Sequence, residues 1–333
     1  MGLFIALSFL IFFWEKIFHI LNLKKYQNIQ RVHRNEVSRL GGIFIYIFFA
    51  SLVWFELIQQ KVIVNIIISA IPFILIALKE DVFHNTSPRF RLISMIMSCL
   101  IFFYLNPMDF PVIDFPYLGN LISLYPIGII FFTFSFLVVM NGMNLIDGMN
   151  GLFGLTALSQ LISIAFLANF VNDFEVMSIC IYLALPLIIF LLFNYPFGSL
   201  FAGDLGAYFY GFANSIVISY FFGKNDNLLT WLALIIVFYP CIELLFSFIR
   251  KKFIEHKNPF LPDAKHLHSL IFLKAPFNGV KHKNNKVLTF LFPFVFCPLV
   301  SLYLMNSMLL ILFTLAFLII FYISLYFYIL KLN

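Results

Sequence analysis

The chain has 333 residues, of which 62% are hydrophobic, 20% aromatic and only 11% charged. Soluble domains carry about 25% charged residues, so this composition cannot provide a water-facing surface and excludes a soluble enzyme or binding module. The formal net charge is +6. We expect no nucleic-acid partner, because the basic residues follow the loops of a membrane protein.

Apolar stretches long enough to cross a bilayer as helices recur along the whole chain. The first, from Leu3 to Phe13, is followed by Glu15 and Lys16 without a small-residue cleavage site, so we interpret it as an uncleaved span. We therefore predict an all-α, polytopic integral membrane protein with a single domain, 1–333. About eleven spans are predicted, near 3–21, 42–58, 62–79, 91–106, 122–140, 152–170, 176–193, 205–222, 228–249, 287–303 and 308–330.

The basic residues fall almost entirely on one side of these spans. Eighteen of the 21 Lys and Arg residues lie in alternate loops or follow the last span. By the positive-inside rule this side is cytoplasmic, which places the N-terminus outside and the C-terminus inside. The predicted cytoplasmic loops lie near 22–41, 80–90, 141–151, 194–204 and 250–286.

Polar chemistry follows the same side. Six of the seven His residues and the acidic residues at 80, 81, 147, 204 and 263 lie in or beside these cytoplasmic loops. A transporter more often places ionisable groups at mid-membrane depth, so the pattern indicates a reaction surface at the inner interface. The four Cys residues are far apart in apolar stretches and are interpreted as small buried hydrophobic residues.

Residues 141–152, with the sequence NGMNLIDGMNGL, join two predicted spans. Asn or Asp recurs at every third position from Asn141 to Asn150. Helical neighbours at that spacing share a face, and the interspersed glycines allow close backbone approach. A capped polar turn is the simpler interpretation, but the regularity of the pattern favours a functional segment.

The next cytoplasmic segment ends in Gly203-Asp204-Leu-Gly206 at the start of a span. Alone this pattern is weak, since Asp is an ordinary helix N-cap residue. Together with 141–152 it predicts a site for a hard cation and a phosphate.

Two further segments carry charge on the same face. Residues 79–91 contain Glu80 and Asp81, followed by Arg89 and Arg91, and interfacial ion pairing is the alternative to a functional role. Residues 250–268 begin with Arg-Lys-Lys and end with two His residues separated by one position. These imidazoles cannot share a helix face, but in an extended loop both can reach one ligand. The ligands of a zinc site are missing, so contact with an anion or a sugar is favoured.

These four segments, in this order and on one face, resemble the polyprenyl-phosphate N-acetylhexosamine-1-phosphate transferases, the WecA/MraY type of glycosyltransferase family 4. Arg31-Val-His33 and Arg39-Leu-Gly-Gly42 are similar to a further signature of that family. The resemblance covers nearly the full length, including span number and orientation. It implies transfer of N-acetylhexosamine 1-phosphate from a UDP-sugar to undecaprenyl phosphate in the bacterial inner membrane, with release of UMP.

The resemblance also implies roles for individual residues. Asp204 and Asn144 match the positions that bind Mg²⁺, for which Mn²⁺ is an expected substitute. The expected UDP-sugar contacts are Asn144, Asp147, Asn150, Arg250, His266 and His268. The expected catalytic residues are Glu80, Asp81, Asp147, His266 and His268. A homodimer surrounded by membrane lipid is a further expectation.

Asp81 matches an essential acid of the family that is discussed as a general base or as a nucleophile. The second pKa of a phosphate monoester is about 6, and a surface potential near −30 mV raises it by roughly half a unit. Most lipid phosphate is therefore already dianionic at neutral pH, so a base adds little. We favour a positioning or metal-associated role for Asp81.

Three positions depart from the usual bacterial pattern: Glu80 and Asn150 each replace Asp, and Ser269 replaces a His. Glu243 stands where relatives often have Asp, and we interpret it as a buried carboxylate facing the bundle interior. The His-rich motif of the peptidoglycan branch is absent from 250–286, which favours UDP-GlcNAc as donor and the start of a glycan such as O-antigen of lipopolysaccharide, teichoic acid or capsule.

Two other classes of membrane protein remain as alternatives. A glycan flippase or polymerase is also multi-span and aromatic-rich, but a polymerase is expected to carry a large polar loop outside, whereas the outer loops here are short. A catalytically altered or non-enzymatic partner in the same glycan pathway is the second, because of the three substitutions.

Overall fold

A computed structural model describes residues 39–115, 118–259, 261, 263–274 and 283–332. Within these ranges the chain is helical and contains no strand. The α-helices are α1 Gly41–Trp54, α2 Lys61–Phe83, α3 Pro88–Leu105, α4 Leu118–Ile122, α5 Tyr125–Ile146, α6 Leu152–Phe170, α7 Phe174–Asn194, α8 Gly203–Lys224, α9 Leu232–Ile236, α10 Phe238–Ile249, α11 Leu267–Lys274, α12 Lys283–Val295, α13 Ser301–Leu304 and α14 Met308–Lys331.

Eight helical segments in the described part of the chain are long and apolar enough to cross a membrane. They are α2, α3, α5, α6, α7, α8, the composite Asn285–Leu304 and α14. Helix α1 is apolar but has only 14 residues. The prediction of an all-α multi-pass membrane protein is confirmed, while the predicted span 3–21 lies outside the described residues.

Several helices extend beyond the predicted spans into segments that we expected to be loops. Helix α2 continues to Phe83. Glu80 and Asp81, which we expected in a loop, therefore lie in its last turn. Helix α5 continues to Ile146, which shortens the predicted loop 141–151 to residues 147–151. The physical reason is that a helix pairs its own backbone groups, so polar side chains at its end reach the interface without unwinding it.

Two predicted spans are interrupted. The span 228–249 is divided at Val237, where α9 ends and α10 begins. The span 287–303 consists of α12, a short 3₁₀ turn at Cys297–Val300 and α13. Prolines stand in both regions, Pro240 in the first turn of α10 and Pro298 in the 3₁₀ turn, and a proline cannot donate a backbone hydrogen bond.

Helix α8 is the central element of the bundle, and nearly all of its side chains are buried. It packs against α1, α2, α5, α6 and α7. Edge-to-face aromatic pairs fill these contacts, for example Phe209 with Tyr46 at 5.8 Å and Phe212 with Phe73 at 5.4 Å between ring centroids. The four Cys residues are free, and all but Cys241 are fully buried, which confirms their interpretation as packing residues.

The crossing of α1 and α8 requires two glycines. A Cβ atom on Gly42 would lie 2.1 Å from the backbone nitrogen of Gly206, and one on Gly206 would lie 2.8 Å from the Cα of Gly42. Small residues let membrane helices approach to backbone contact. The amides of Gly41 and Gly42 also donate to the carbonyls of Phe201 and Ala202, both at 2.9 Å, which joins the start of α1 to the start of α8.

We predict that Gly42→Ala destabilises the protein by on the order of 1–3 kcal/mol, because the new methyl group meets backbone that cannot move alone. Thermal unfolding of the purified protein in detergent measures the effect. Gly148→Ala is the matched control, since its Cβ would meet no heavy atom closer than 3.6 Å. Equal melting temperatures for the two variants would contradict this account of the crossing.

Candidate active site

The predicted site residues are gathered at one end of the bundle. Because the spans alternate in direction, the ends of α2, α5, α7 and α10 meet the starts of α3, α6, α8 and α11 there. Ten of the polar side chains considered above lie at this end: Glu80, Asp81, Asn144, Asp147, Asn150, Asp204, Glu243, Arg250, His266 and His268.

Asp204, in the first turn of α8, is the centre of a buried polar cluster. Its carboxylate accepts a hydrogen bond from Arg91 Nη1 at 2.7 Å and lies 3.9 Å from Arg39 Nη2. The hydroxyl of Tyr208, one turn further along α8, donates to the same carboxylate at 3.4 Å. Asp204 is 4% exposed, so its carboxylate is surrounded by these partners and not by solvent.

Asp81 and Asp147 do not contact Asp204 through their side chains but bind the backbone that carries it. Asp81 accepts from the amides of Asp204 at 2.9 Å and Leu205 at 3.0 Å. Asp147 accepts from the amide of Gly203 at 2.8 Å and from that of Ala202 at 3.5 Å. Both carboxylates are buried. The three acids therefore meet at the start of one helix.

Two arginines face three carboxylates in this cluster, so one negative charge is left over when all five groups are ionised. Burial works against the charged form of Arg39, but Asp204, Asp81 and Asp147 outweigh it and raise the pKa of Arg39. Burial raises the pKa of Asp147 to about 7, against the opposing effects of Arg39 and the two amides. A buried excess of negative charge is costly unless a cation is present, so the cluster suits a positively charged ligand.

Asn144, on the last turns of α5, lies next to this cluster. Its Nδ2 donates to the hydroxyl of Tyr208 at 3.0 Å. Its Oδ1 is buried, and within the described part of the chain no group donates to it. An unsatisfied buried acceptor is costly, and an oxygen beside a carboxylate is a ligand that Mg²⁺ accepts.

In the described ranges, no group of three or more His, Cys, Asp and Glu side chains is arranged to hold a metal ion. Asp204 and Asn144 provide one carboxylate and one amide oxygen. Mg²⁺ is usually bound by one or two carboxylates together with water and substrate phosphates. The donor set therefore fits a cation that is completed by substrate, and it does not fit a closed structural metal site.

Asn150 bridges three parts of this face. Its Nδ2 donates to the carbonyl of Pro196 at 3.0 Å and to Asn285 Oδ1 at 3.2 Å. The neighbouring amide of Gly151 donates to Asn194 Oδ1 at 2.6 Å, and Asn194 Nδ2 donates to the carbonyl of Leu200 at 2.7 Å. These bonds connect the loop after α5 with the loop before α8.

Glu80 binds the turn that follows α2. Its carboxylate accepts from the amide of Thr86 at 2.9 Å and from the hydroxyl of the same residue at 2.5 Å. It thereby closes the turn between α2 and α3. Ser269, where the family pattern has a His, is buried in α11. The catalytic role expected for Glu80 stays a prediction.

A second buried cluster surrounds His266. Glu243, on α10 and 1% exposed, contacts His266 Nδ1 through Oε1 at 3.1 Å. The same oxygen accepts the amide of Leu267 at 3.0 Å, and Oε2 accepts the hydroxyl of Tyr322 at 2.9 Å. A hydrogen bond at one imidazole nitrogen determines what the other nitrogen can do. Glu243 therefore fixes the orientation of His266.

His268 connects this cluster to the loop after α5. Its ring stacks on that of His266 with centroids 5.6 Å apart. Its Nε2 would lie 3.6 Å from a Cβ built on Gly148, next to Asp147. Burial lowers the pKa of His268 to about 4, against the opposing effect of Glu243, so this imidazole is neutral at neutral pH.

Arg250 closes the loop between α10 and α11. Nη1 donates to Glu255 at 2.7 Å and Nη2 donates to Asp263 at 2.7 Å. Lys265 also binds Glu255, at 2.9 Å. Both terminal nitrogens of Arg250 are thus engaged by carboxylates, while its buried Nε has no partner among the described residues.

The structure adds partners that the motifs did not identify. Arg39 belonged to the Arg39-Leu-Gly-Gly42 signature and Arg91 to a charged segment, both without an assigned role. Tyr208 and Tyr322 were hidden within apolar helices. The arginines were accessible to sequence reasoning, because a buried carboxylate needs a cation nearby. The tyrosines were not, because an isolated Tyr in a membrane helix gives no signal of its own.

Comparison with known proteins places this arrangement in context. Residues 63–222, from α2 through α8, match the model of glycosyl transferase family 4. A Bacillus subtilis protein named "Probable undecaprenyl-phosphate N-acetylglucosaminyl 1-phosphate transferase" is 25% identical over 274 residues, 80% of this chain and 73% of the relative. A Thermotoga maritima protein named "Undecaprenyl-phosphate alpha-N-acetylglucosaminyl 1-phosphate transferase" is 24% identical over 245 residues, 74% and 71% of the two chains.

The matched segment contains Asp81, Arg91, Asn144, Asp147 and Asp204, whereas Arg39 precedes it. It lies within a multi-pass helical bundle, as the motifs predicted. Sequence pattern, fold and relatives agree: residues 63–222 match glycosyl transferase family 4, and the names of the relatives support the WecA/MraY type of that family.

Proposed function

We propose that this protein transfers N-acetylglucosamine 1-phosphate from UDP-GlcNAc to undecaprenyl phosphate and releases UMP. The product is a lipid-diphosphate sugar, which starts a cell-surface glycan. The relatives' names support the reaction class. The choice of UDP-GlcNAc among UDP-N-acetylhexosamines and the glycan that is started belong to the proposal.

The observation that carries the proposal is the charge arrangement around Asp204. A carboxylate with a neighbouring free amide oxygen can hold a cation, while Arg39 and Arg91 stand beside it. Both substrates bring phosphate groups, and Arg is the side chain best suited to binding them. The cluster lies at an end of the bundle, where a lipid phosphate at the headgroup level and a soluble nucleotide can meet.

Asp204 and Asn144 Oδ1 are the residues that would hold Mg²⁺, with Mn²⁺ as an expected substitute. When bound there, the metal neutralises the donor diphosphate and stabilises the charge that builds on departing UMP. Arg91 neutralises Asp204 through its 2.7 Å hydrogen bond. Binding of a substrate phosphate gives Arg91 an alternative partner and leaves the carboxylate available.

The second cluster is assigned to the donor. His266 and His268 lie at the start of α11, and His268 approaches the loop that carries Asp147. Asn150 braces that loop against α12 and the loop before α8. We propose that this cluster contacts the diphosphate and the sugar.

The departures from the family pattern are compatible with activity. Glu80 binds Thr86 in the turn between α2 and α3, a role that Glu can fill in place of Asp. Asn150 uses its amide group in two hydrogen bonds, a role that does not depend on negative charge. We further propose that the protein lies in the bacterial cytoplasmic membrane as a homodimer, with the N-terminus outside and the C-terminus inside.

We predict that the purified protein releases UMP from UDP-GlcNAc when undecaprenyl phosphate and Mg²⁺ are supplied, and that a chelator abolishes the release. A panel with UDP-GalNAc, UDP-FucNAc and UDP-QuiNAc tests the sugar. Absence of UMP with every donor would favour the non-enzymatic partner.

Asp204→Asn is predicted to lower kcat by about 10²- to 10³-fold, because it removes the negative charge that would hold the cation near the diphosphate. The fold should persist, since Asn has the same size. Asp173→Asn is the matched control, because Asp173 lies at the opposite end of the bundle and pairs with Lys224. Steady-state UMP release measures both. If the two variants had equal activity, Asp204 would not be part of the active site.

Glu243→Gln is predicted to lower kcat by roughly tenfold or more and to alter its pH profile, because His266 loses the carboxylate that fixes its ring. Tyr322→Phe is the control, since it removes a donor to the other oxygen of Glu243 and leaves the bond to His266 in place. The same pH–rate profile in both variants and the wild type would contradict a role for Glu243 in orienting His266.

A further inference from the structure

The first four free amides of α8 are all bound by side chains from other helices. The start of a helix leaves its first N–H groups without intrahelical partners. In α8 these belong to residues 202–205, and the first intrahelical bond comes from the amide of Gly206 to the carbonyl of Ala202. Asp147 binds the first two of the four amides and Asp81 the last two.

This capping has no local source. The N-cap position of α8 is Ala202, which has no polar side chain, and no side-chain bond arises from it. The caps come instead from the last turn of α2 and from the residue after α5. Carboxylates are favoured there, because the N-terminus of a helix carries partial positive charge and bonds between amides and an ionised carboxylate are stronger than neutral ones.

Gly203 makes the approach of Asp81 possible. Its φ of +69° is a conformation that glycine adopts without strain. A Cβ atom at this position would lie 2.0 Å from the carbonyl oxygen of Arg39 and 2.7–2.8 Å from the carboxylate oxygens of Asp81. Any side chain at residue 203 would separate Asp81 from the start of α8, so the contact of Asp81 with these amides depends on Gly203.

We infer that Asp81 and Asp147 are positioning residues, which together hold the start of α8 and thereby position Asp204 beside Arg39, Arg91 and Asn144. A general base or nucleophile needs a carboxylate lone pair that the lipid phosphate can reach. Both oxygens of Asp81 are bound to amides, and the residue is 6% exposed. This inference rests on the proposed function for the role of Asp204, but the capping itself does not.

Hydrogen–deuterium exchange of the full-length protein tests the capping directly. In Asp81→Asn and Asp147→Asn, amides 202–205 should exchange on the order of tenfold faster or more, since each variant weakens two caps. Ser307→Ala is the matched control, because it removes a local cap, the bond from the Leu310 amide, at the start of α14. That variant should speed exchange only at the start of α14 and leave UMP release unchanged.

Activity measured on the same samples separates the roles of Asp81. If Asp81 is a positioning residue, Asp81→Asn should lower kcat in step with faster exchange and should weaken Mn²⁺ binding measured by electron paramagnetic resonance. The activity of this variant should not recover at higher pH. Lost activity with unchanged exchange at 202–205, or recovery at high pH, would overturn the inference. Faster exchange with full activity would overturn the link to Asp204. If the wild type released no UMP, only the proposed function would fail, because the exchange result stands alone.

Discussion

The cost of burying negative charge governs this end of the protein. Asp81, Asp147 and Asp204 are each less than 10% exposed, and an ionised carboxylate withdrawn from water is tolerated only with close partners. Two of the three use backbone amides as partners, and the third uses two arginines. The arginines alone would not suffice, because without the amides at the start of α8 three acids would compete for two cations.

The membrane explains why this chemistry lies at the ends of the helices. Within the hydrocarbon core every backbone polar group must be satisfied inside the structure, and the spans here are correspondingly filled with Phe and other apolar side chains. Polar residues are concentrated where α2, α5 and α8 reach the interface. A phosphate attached to a lipid is held at the same depth, so the reaction that we propose needs no charged group to enter the bilayer.

Much of this could be predicted from the sequence, because hydropathy and basic charge are one-dimensional signals. The all-α membrane fold follows from such patterns, whereas the clustering of Asp204 with Asn144 and the burial of Glu243 were expected from the family resemblance. The partners of Asp81 could not be predicted, because its hydrogen bonds join residues 123 and 124 positions apart and depend on how α2 meets α8. Helix ends were also misjudged, since Asn141 and Asn144 look like loop residues but continue α5.

The ion pairs that Arg250 makes with Glu255 and Asp263 have a consequence for divergence within such enzymes. They lie within residues 250–263, outside the segment matched by the family model, and they fold the connection between α10 and α11 onto itself. A segment that is braced internally can change its outer side chains while its shape persists. Under the proposed function, preference for one sugar over another can thus drift in this segment, while the residues around Asp204 stay unaltered.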